Sequence, residues 1–184
     1  MPFDSRRRLL IRCTAHRRFT AALYRTWVSR FRAGPDQLPS VAVIISEKPV
    51  IRCVGAVIHD PRGRLLLVKR AHEPEKGKWS LPGGRVEQSE SDHSAVRREV
   101  HEETGLSVTV GPLIGRVFRP GPKGTFEILD YSCWSSGTDL FPGDDAADAM
   151  WADGATFATL ERQNALTTGL ADALRHWDCL PRNE

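Results

Sequence analysis

The stretch from Ser91 to Gly105 constrains the fold most tightly, because its ends punctuate one helix of set length. Ser91, with Asp92 just inside, supplies a helix start and Gly105 a stop, so a helix is predicted over roughly residues 91 to 104. Read at about 100° per residue, Val96 and Val100 mark its apolar side, with Glu103 close by, Glu99 roughly 60° round and Glu102 further. Two local rules oppose that grouping. Like charges at i,i+4 weaken a helix by about 0.2 to 0.5 kcal/mol per pair, and acids near a C-terminus oppose the macrodipole. A helix that nonetheless gathers three acids there needs a positive partner to offset both effects.

The flanking segments read as strands. VAVIIS and IRCVGAVI are rich in β-branched residues after the linker-like GPDQLPS, which places the start of a globular domain near residue 40. Asp60-Pro61-Arg62-Gly63 supplies turn chemistry, and a hairpin joining VGAVIHD to LLLVKRA is expected across it. WSLPGGRVEQSE is too rich in Pro and Gly for a helix. LSVTVGPLIGRVF and FEILDYSCWSS are strand candidates separated by RPGPKG, and Leu170, Leu174 and Trp177 recur at helical spacing in a packing helix expected over about 165 to 177. Strands on both sides of an internal helix, with another helix at the end, predict an α/β (α+β) domain in which a mixed sheet is covered on two faces.

Carboxylates on a helix behind a Gly-Gly loop suit a hard cation such as Mg²⁺, which takes oxygen ligands and is commonly recruited to phosphates. Gly83 and Gly84 let the backbone approach an ion or phosphate closely. The spacing is specific. Gly84, five residues, Glu90, seven residues, then Arg98-Glu99-Val100-x-Glu102-Glu103-x-Gly105-Leu106 matches the Nudix box, G-x5-E-x7-R-E-U-x-E-E-x-G-U, at every specified position. Seven fixed identities arise by chance at on the order of 10⁻⁹ or less per start position, so coincidence is excluded.

The chain thus resembles the Nudix hydrolases over roughly residues 52 to 160. The resemblance implies an α/β/α sandwich and Mg²⁺-dependent hydrolysis, with Mn²⁺ as a substitute, of a nucleoside diphosphate linked to another group X. On that basis Glu99, Glu102, Glu103 and the Gly83 carbonyl are expected metal ligands, with Glu99 also a candidate base. Glu90 and Arg98 match box positions that are mainly structural and are expected to pair, and Gly84 and Gly105 complete the frame. A further carboxylate on a later loop is expected at Asp145, with Asp144 and Asp148 as rivals; Asp departs from the commoner Glu there. Pro122, 16 residues past Leu106, resembles the ADP-ribose pyrophosphatase subgroup. Sanitation of oxidised or non-standard (d)NTPs is the competing substrate assignment, and a nucleotide-binding regulatory module without turnover the competing function. Trp79, Phe118, Phe126 and Trp134 are candidates to stack on a base.

Charge divides the 184-residue chain. Residues 1 to 33 hold nine arginines against the single acid Asp4, so the remainder is acidic although the whole carries +3. This separates a basic arm, 1–39, from the domain at 40–184. Residues 6 to 32 are either a solvated arm or a tether to nucleic acid, an anionic surface or a sister subunit in a homodimer. No apolar run approaches the roughly 20 residues of a membrane helix, and a cytoplasmic location is expected, with organellar import by the basic N-terminus as the alternative. The four cysteines and six histidines show no metal-ligand spacing.

Overall fold

The runs GAVI and LLLV are apolar at consecutive positions, the pattern of strands buried on both faces. In the computed structural model, which describes residues 49–143 and 146–182, they lie in β1 (Val50–Ile58) and β2 (Leu65–Arg70). Val54, Ala56, Ile58 and Leu66 enter one core with Val96 and Val100 of helix α1 (Asp92–Thr104). Val57, Leu65 and Leu67 enter a second core with Phe157 of α2 (Gly154–Arg162) and Leu170 and Leu174 of α3 (Leu170–His176). Strand alternation thus feeds two cores from the same two strands, and helices cover both sides.

The strands divide between two sheets. One runs β4 (Gly83–Arg85), β1, β6 (Thr125–Ser135), β5 (Val108–Pro120); the other runs β3 (Trp79–Ser80), β2, β7 (Ala146–Ala152). Strands β1 and β6 pair in parallel, from Val50 opposite Thr125 to Ile58 opposite Cys133, so the larger sheet is mixed as expected. The hairpin expected between VGAVIHD and LLLVKRA is corrected. The turn forms, with Gly63 N–H donating to the Asp60 carbonyl at 2.9 Å and the Asp60 carboxylate accepting from the Arg62 and Arg64 amides. Beyond it β1 and β2 share only the bridge of His59 with Leu65. Both edges of β1 are already occupied, by β4 and β6, so β2 pairs instead with β3 and β7.

Helix α1 matches the predicted span, with the Ser91 hydroxyl accepting from Ser94 N–H and Gly105 closing it at φ 73°. The C-terminal helix begins later than expected. Residues 165–167 instead run alongside Trp79, whose N–H donates to the Ala165 carbonyl and whose carbonyl accepts from Thr167 N–H. Gly169, at φ 75°, then opens α3. The arginine-rich arm, the boundary expected near residue 40 and VAVIIS lie outside the described residues. Among the described residues no helix is long and apolar enough to cross a membrane.

Candidate active site

Helix α1 lies against the short strand β4, and that contact builds the site. Gly83 N–H donates to Glu103 Oε2 at 2.8 Å, tying the last turn of the helix to the diglycine. Gly83 sits at φ 150°, and a Cβ there would run into the Val54 carbonyl and the Gly55 backbone. A Cβ on Gly84 would fall against the Glu99 carboxylate. The two glycines therefore let the strand approach the acids closely, as the sequence required.

Arg98 organises the remaining carboxylates. Its Nε and one terminal nitrogen donate to the two oxygens of Glu90 at 3.1 and 2.9 Å, the bidentate geometry in which Arg–carboxylate pairs are strongest. The other terminal nitrogen reaches Glu99 at 2.9 Å and Glu102 at 3.0 Å, and a further bond goes to the Arg85 carbonyl at 3.0 Å. The Glu90–Arg98 pair anticipated from the sequence therefore forms, and Arg98 also supplies part of the positive charge that the acids needed. The Arg98 guanidinium is raised above its usual range, first by Glu90 and then, against partial burial, by Glu99 and Glu102. Burial pushes the Glu99 carboxyl above its usual range, with Arg98 pulling the other way. Arg98→Ala should leave three acids facing one another, costing about 1 to 2 kcal/mol in a denaturant titration and lowering turnover more than that loss explains. Wild-type stability in the variant would contradict the hub role.

All the donors gathered here are oxygens, which fits a hard divalent cation. Among the described residues no three acidic, imidazole or thiol groups already converge as a ready-made cluster. Mg²⁺ commonly takes one or two carboxylates, keeps waters and completes its shell on substrate phosphates. Asp144 and Asp145 lie outside the described residues; Gly143, just before them, packs against the Glu102 carbonyl. Asp148 is exposed within β7, opposite Lys69, and its carboxylate accepts from the Ala149 amide.

Beside the diglycine opens a cavity of about 650 Å³, the size of a small-ligand site. Gly83, Gly84 and Arg85 line one part of it; Arg70, Glu75, Arg119, Asp130, Thr168 and Trp177 line others. Of the aromatics proposed to stack, Phe126 reaches the cavity, and Pro122 lines it as well. Trp79 is buried in the second core, and Phe118 and Trp134 are exposed elsewhere. Sequence reasoning missed Trp177, assigned to ordinary packing, and Asp130, a lone acid in the apolar run ILDYSC that was itself the available signal. Loop residue Glu75 is also part of the wall. Its carboxylate accepts from the Thr168 amide and hydroxyl at 2.9 and 2.7 Å and lies 3.7 Å from Arg119.

Asp130 is 5% exposed, and burial raises its carboxyl from 3.8 to about 6 against the pull of Arg119. A carboxyl raised by folding favours the folded state below its unfolded pKa, and that contribution is lost as pH rises through the folded pKa. Asp130→Asn should thus match wild type near pH 3.8 and gain over it as pH rises to about 6, levelling at about 2 to 3 kcal/mol. Melting temperatures across that range check it, and a variant uniformly less stable at neutral pH would contradict it.

Comparison with known proteins places this arrangement. A profile of the NUDIX domain matches residues 49–163. The chain is 39% identical over 80 residues to an 8-oxo-(d)GTP phosphatase of Mycolicibacterium smegmatis, covering 44% of this chain and 25% of that protein. It is 37% identical over 107 residues to an ADP-ribose pyrophosphatase of Methanocaldococcus jannaschii, covering 57% and 62%. The match thus spans less than two thirds of either relative. The crystal structure of the MutT protein from Methanosarcina mazei Go1 superposes with a TM-score of 0.63 at 27% identity, over 72% of this chain and 95% of that one. With the box residues assembled on α1 and β4 and the profile spanning most of the sequence, the chain belongs to the Nudix family.

Proposed function

We propose that this chain is a Mg²⁺-dependent pyrophosphohydrolase that cleaves a nucleoside diphosphate linked to a second group. The observation that carries the reading is the joining of Glu103 to Gly83 beside the 650 Å³ cavity. Acids and cavity therefore adjoin at the diglycine, where a pyrophosphate and the rest of its substrate would both have to fit. Bound Mg²⁺, or Mn²⁺ in its place, would neutralise the phosphate oxygens and make water a better nucleophile. Glu99, Glu102 and Glu103 would hold the cation, with the Gly83 carbonyl as a backbone ligand. Glu99 is the candidate to take the proton from water, and Arg98 and Glu90 hold the acids in place. Asp145 is proposed as the additional carboxylate from the loop before β7.

The relatives' names, ADP-ribose pyrophosphatase and 8-oxo-(d)GTP phosphatase, support both an ADP-ribose-like diphosphate and a (d)NTP as the substrate class. In either case the bond broken is a phosphoanhydride. The products are two monophosphates from a diphosphate conjugate, or a nucleoside monophosphate and pyrophosphate from a triphosphate. A panel of nucleoside diphosphate conjugates and triphosphates with Mg²⁺, analysed by product, tests the proposal. Release of a nucleoside monophosphate is the expected outcome; binding without turnover across the panel, with Mn²⁺ as well, would overturn it in favour of a binding module.

A further inference from the structure

Within the cavity, Asp130 has the features of a group that awaits a ligand. It sits mid-strand in β6, opposite Gly55 of β1 on one side and Gly115 of β5 on the other. Its residue surface is 95% buried, yet it lines the cavity. Among the described residues, none donates a hydrogen bond to its carboxylate. Its carboxylate opens onto the cavity rather than being sealed into the core. Gly55 makes room for it, since a Cβ there would occupy the position of Asp130 Oδ1. Apolar Phe126, Leu170 and Trp177 wall the same cavity, suited to the flat faces of a base, while Arg70 and Arg85 supply positive charge for phosphates.

We propose that Asp130 determines substrate choice by accepting two adjacent N–H donors from the edge of the substrate's base, the pattern that guanine presents. The inference rests on the pyrophosphohydrolase reading only for the direction in which the nucleotide enters. A carboxylate has two coplanar acceptors and no donor once ionised, and guanine offers N1–H and the 2-amino group side by side. Adenine alternates a donor with an acceptor on the same edge, so one carboxylate oxygen would face a lone pair. Hypoxanthine keeps N1–H but lacks the amino group. The carboxyl, raised to about 6, is mostly ionised at neutral pH and so presents acceptors only. Arg119 supports that state from across the cavity.

Calorimetric titration of the full chain with GMP, IMP and AMP at pH 7.5 tests the assignment. GMP should bind about tenfold to a hundredfold more tightly than IMP or AMP. Asp130→Asn should abolish that margin by weakening GMP while leaving IMP within about threefold, and a thermal melt establishes that the variant is folded. A merely structural role for Asp130 would not change the ranking of the three bases. Equal affinities, no measurable GMP binding, or a preference retained by Asp130→Asn would each overturn the proposal. Loss of all three together in the variant would place the carboxylate on the ribose hydroxyls and overturn it as well. Should the variant fail to fold, the wild-type ranking alone decides. Turnover enters none of these arms, so a chain that bound GMP through Asp130 but hydrolysed nothing would keep this inference and lose the reaction.

Discussion

Glu102→Gln and Glu103→Gln should each reduce Mg²⁺-stimulated release of nucleoside monophosphate by about a thousandfold, with secondary structure and melting behaviour close to wild type. The magnitude follows from removing one charged ligand where charge develops on a phosphate, the kind of contribution that preorganised electrostatics commonly makes. Retained folding follows from the contacts. Glu103 accepts from Gly83 N–H, and a glutamine amide oxygen can accept the same bond. Glu102 is 46% exposed and meets only one arm of Arg98, whose fork stays engaged with Glu90. Steady-state assays over a Mg²⁺ series separate the outcomes: wild-type turnover in both variants would reject the metal-ligand assignment.

Gly83→Ala should act through the backbone rather than through charge. The residue lies at φ 150°, and the added methyl would meet the Val54 carbonyl and the Gly55 Cα, neither of which can rotate aside. A cost of about 3 kcal/mol is expected, lowering the melting temperature by about 6 to 12 °C for a chain of this length. Turnover should fall further, because any shift of β4 moves the amide that Glu103 accepts from. Gly84→Ala is the informative contrast. The nearest atoms its methyl would meet all belong to the Glu99 side chain, which can move, so activity should fall with a much smaller loss of stability. Equal stability of Gly83→Ala and wild type would contradict this account of the diglycine.

The candidate site was the most legible part of this chain because its cause is local. Ser91, Gly105 and the acids between them fix a helix by capping and periodicity alone, and the box spacing ties that helix to the two glycines and Glu90. What the sequence concealed depends on long-range pairing. The turn at Asp60–Gly63 was readable, yet whether β1 and β2 continue as a hairpin depends on who else claims the edges of β1, and both claimants lie far along the chain. Strand β7 was hidden for the same reason, since DAMW carries little alternation and gains its structure from β2. Helix α2 carried a signal that was passed over, an Asp153 side chain accepting from the Thr156 amide at its start. Residues 165–169 were read as helix because Leu170 and Leu174 set a helical period, whereas hydrogen bonds to Trp79 hold 165–167 extended and 168–169 turn into α3. The cavity is less legible still. Asp130, Arg119, Glu75 and Trp177 come from four separate segments, and only the fold brings them to one space.

The central claim is that the acids of α1 and the diglycine of β4 together hold a divalent cation over a pyrophosphate. The position of Mn²⁺ in crystals grown with a non-hydrolysable nucleoside diphosphate derivative, located by anomalous scattering, tests it most directly. The metal is expected among Glu99, Glu102, Glu103 and the Gly83 carbonyl, in contact with a phosphate oxygen. Manganese bound elsewhere, with those carboxylates still engaged by Arg98 and the Gly83 amide, would contradict it.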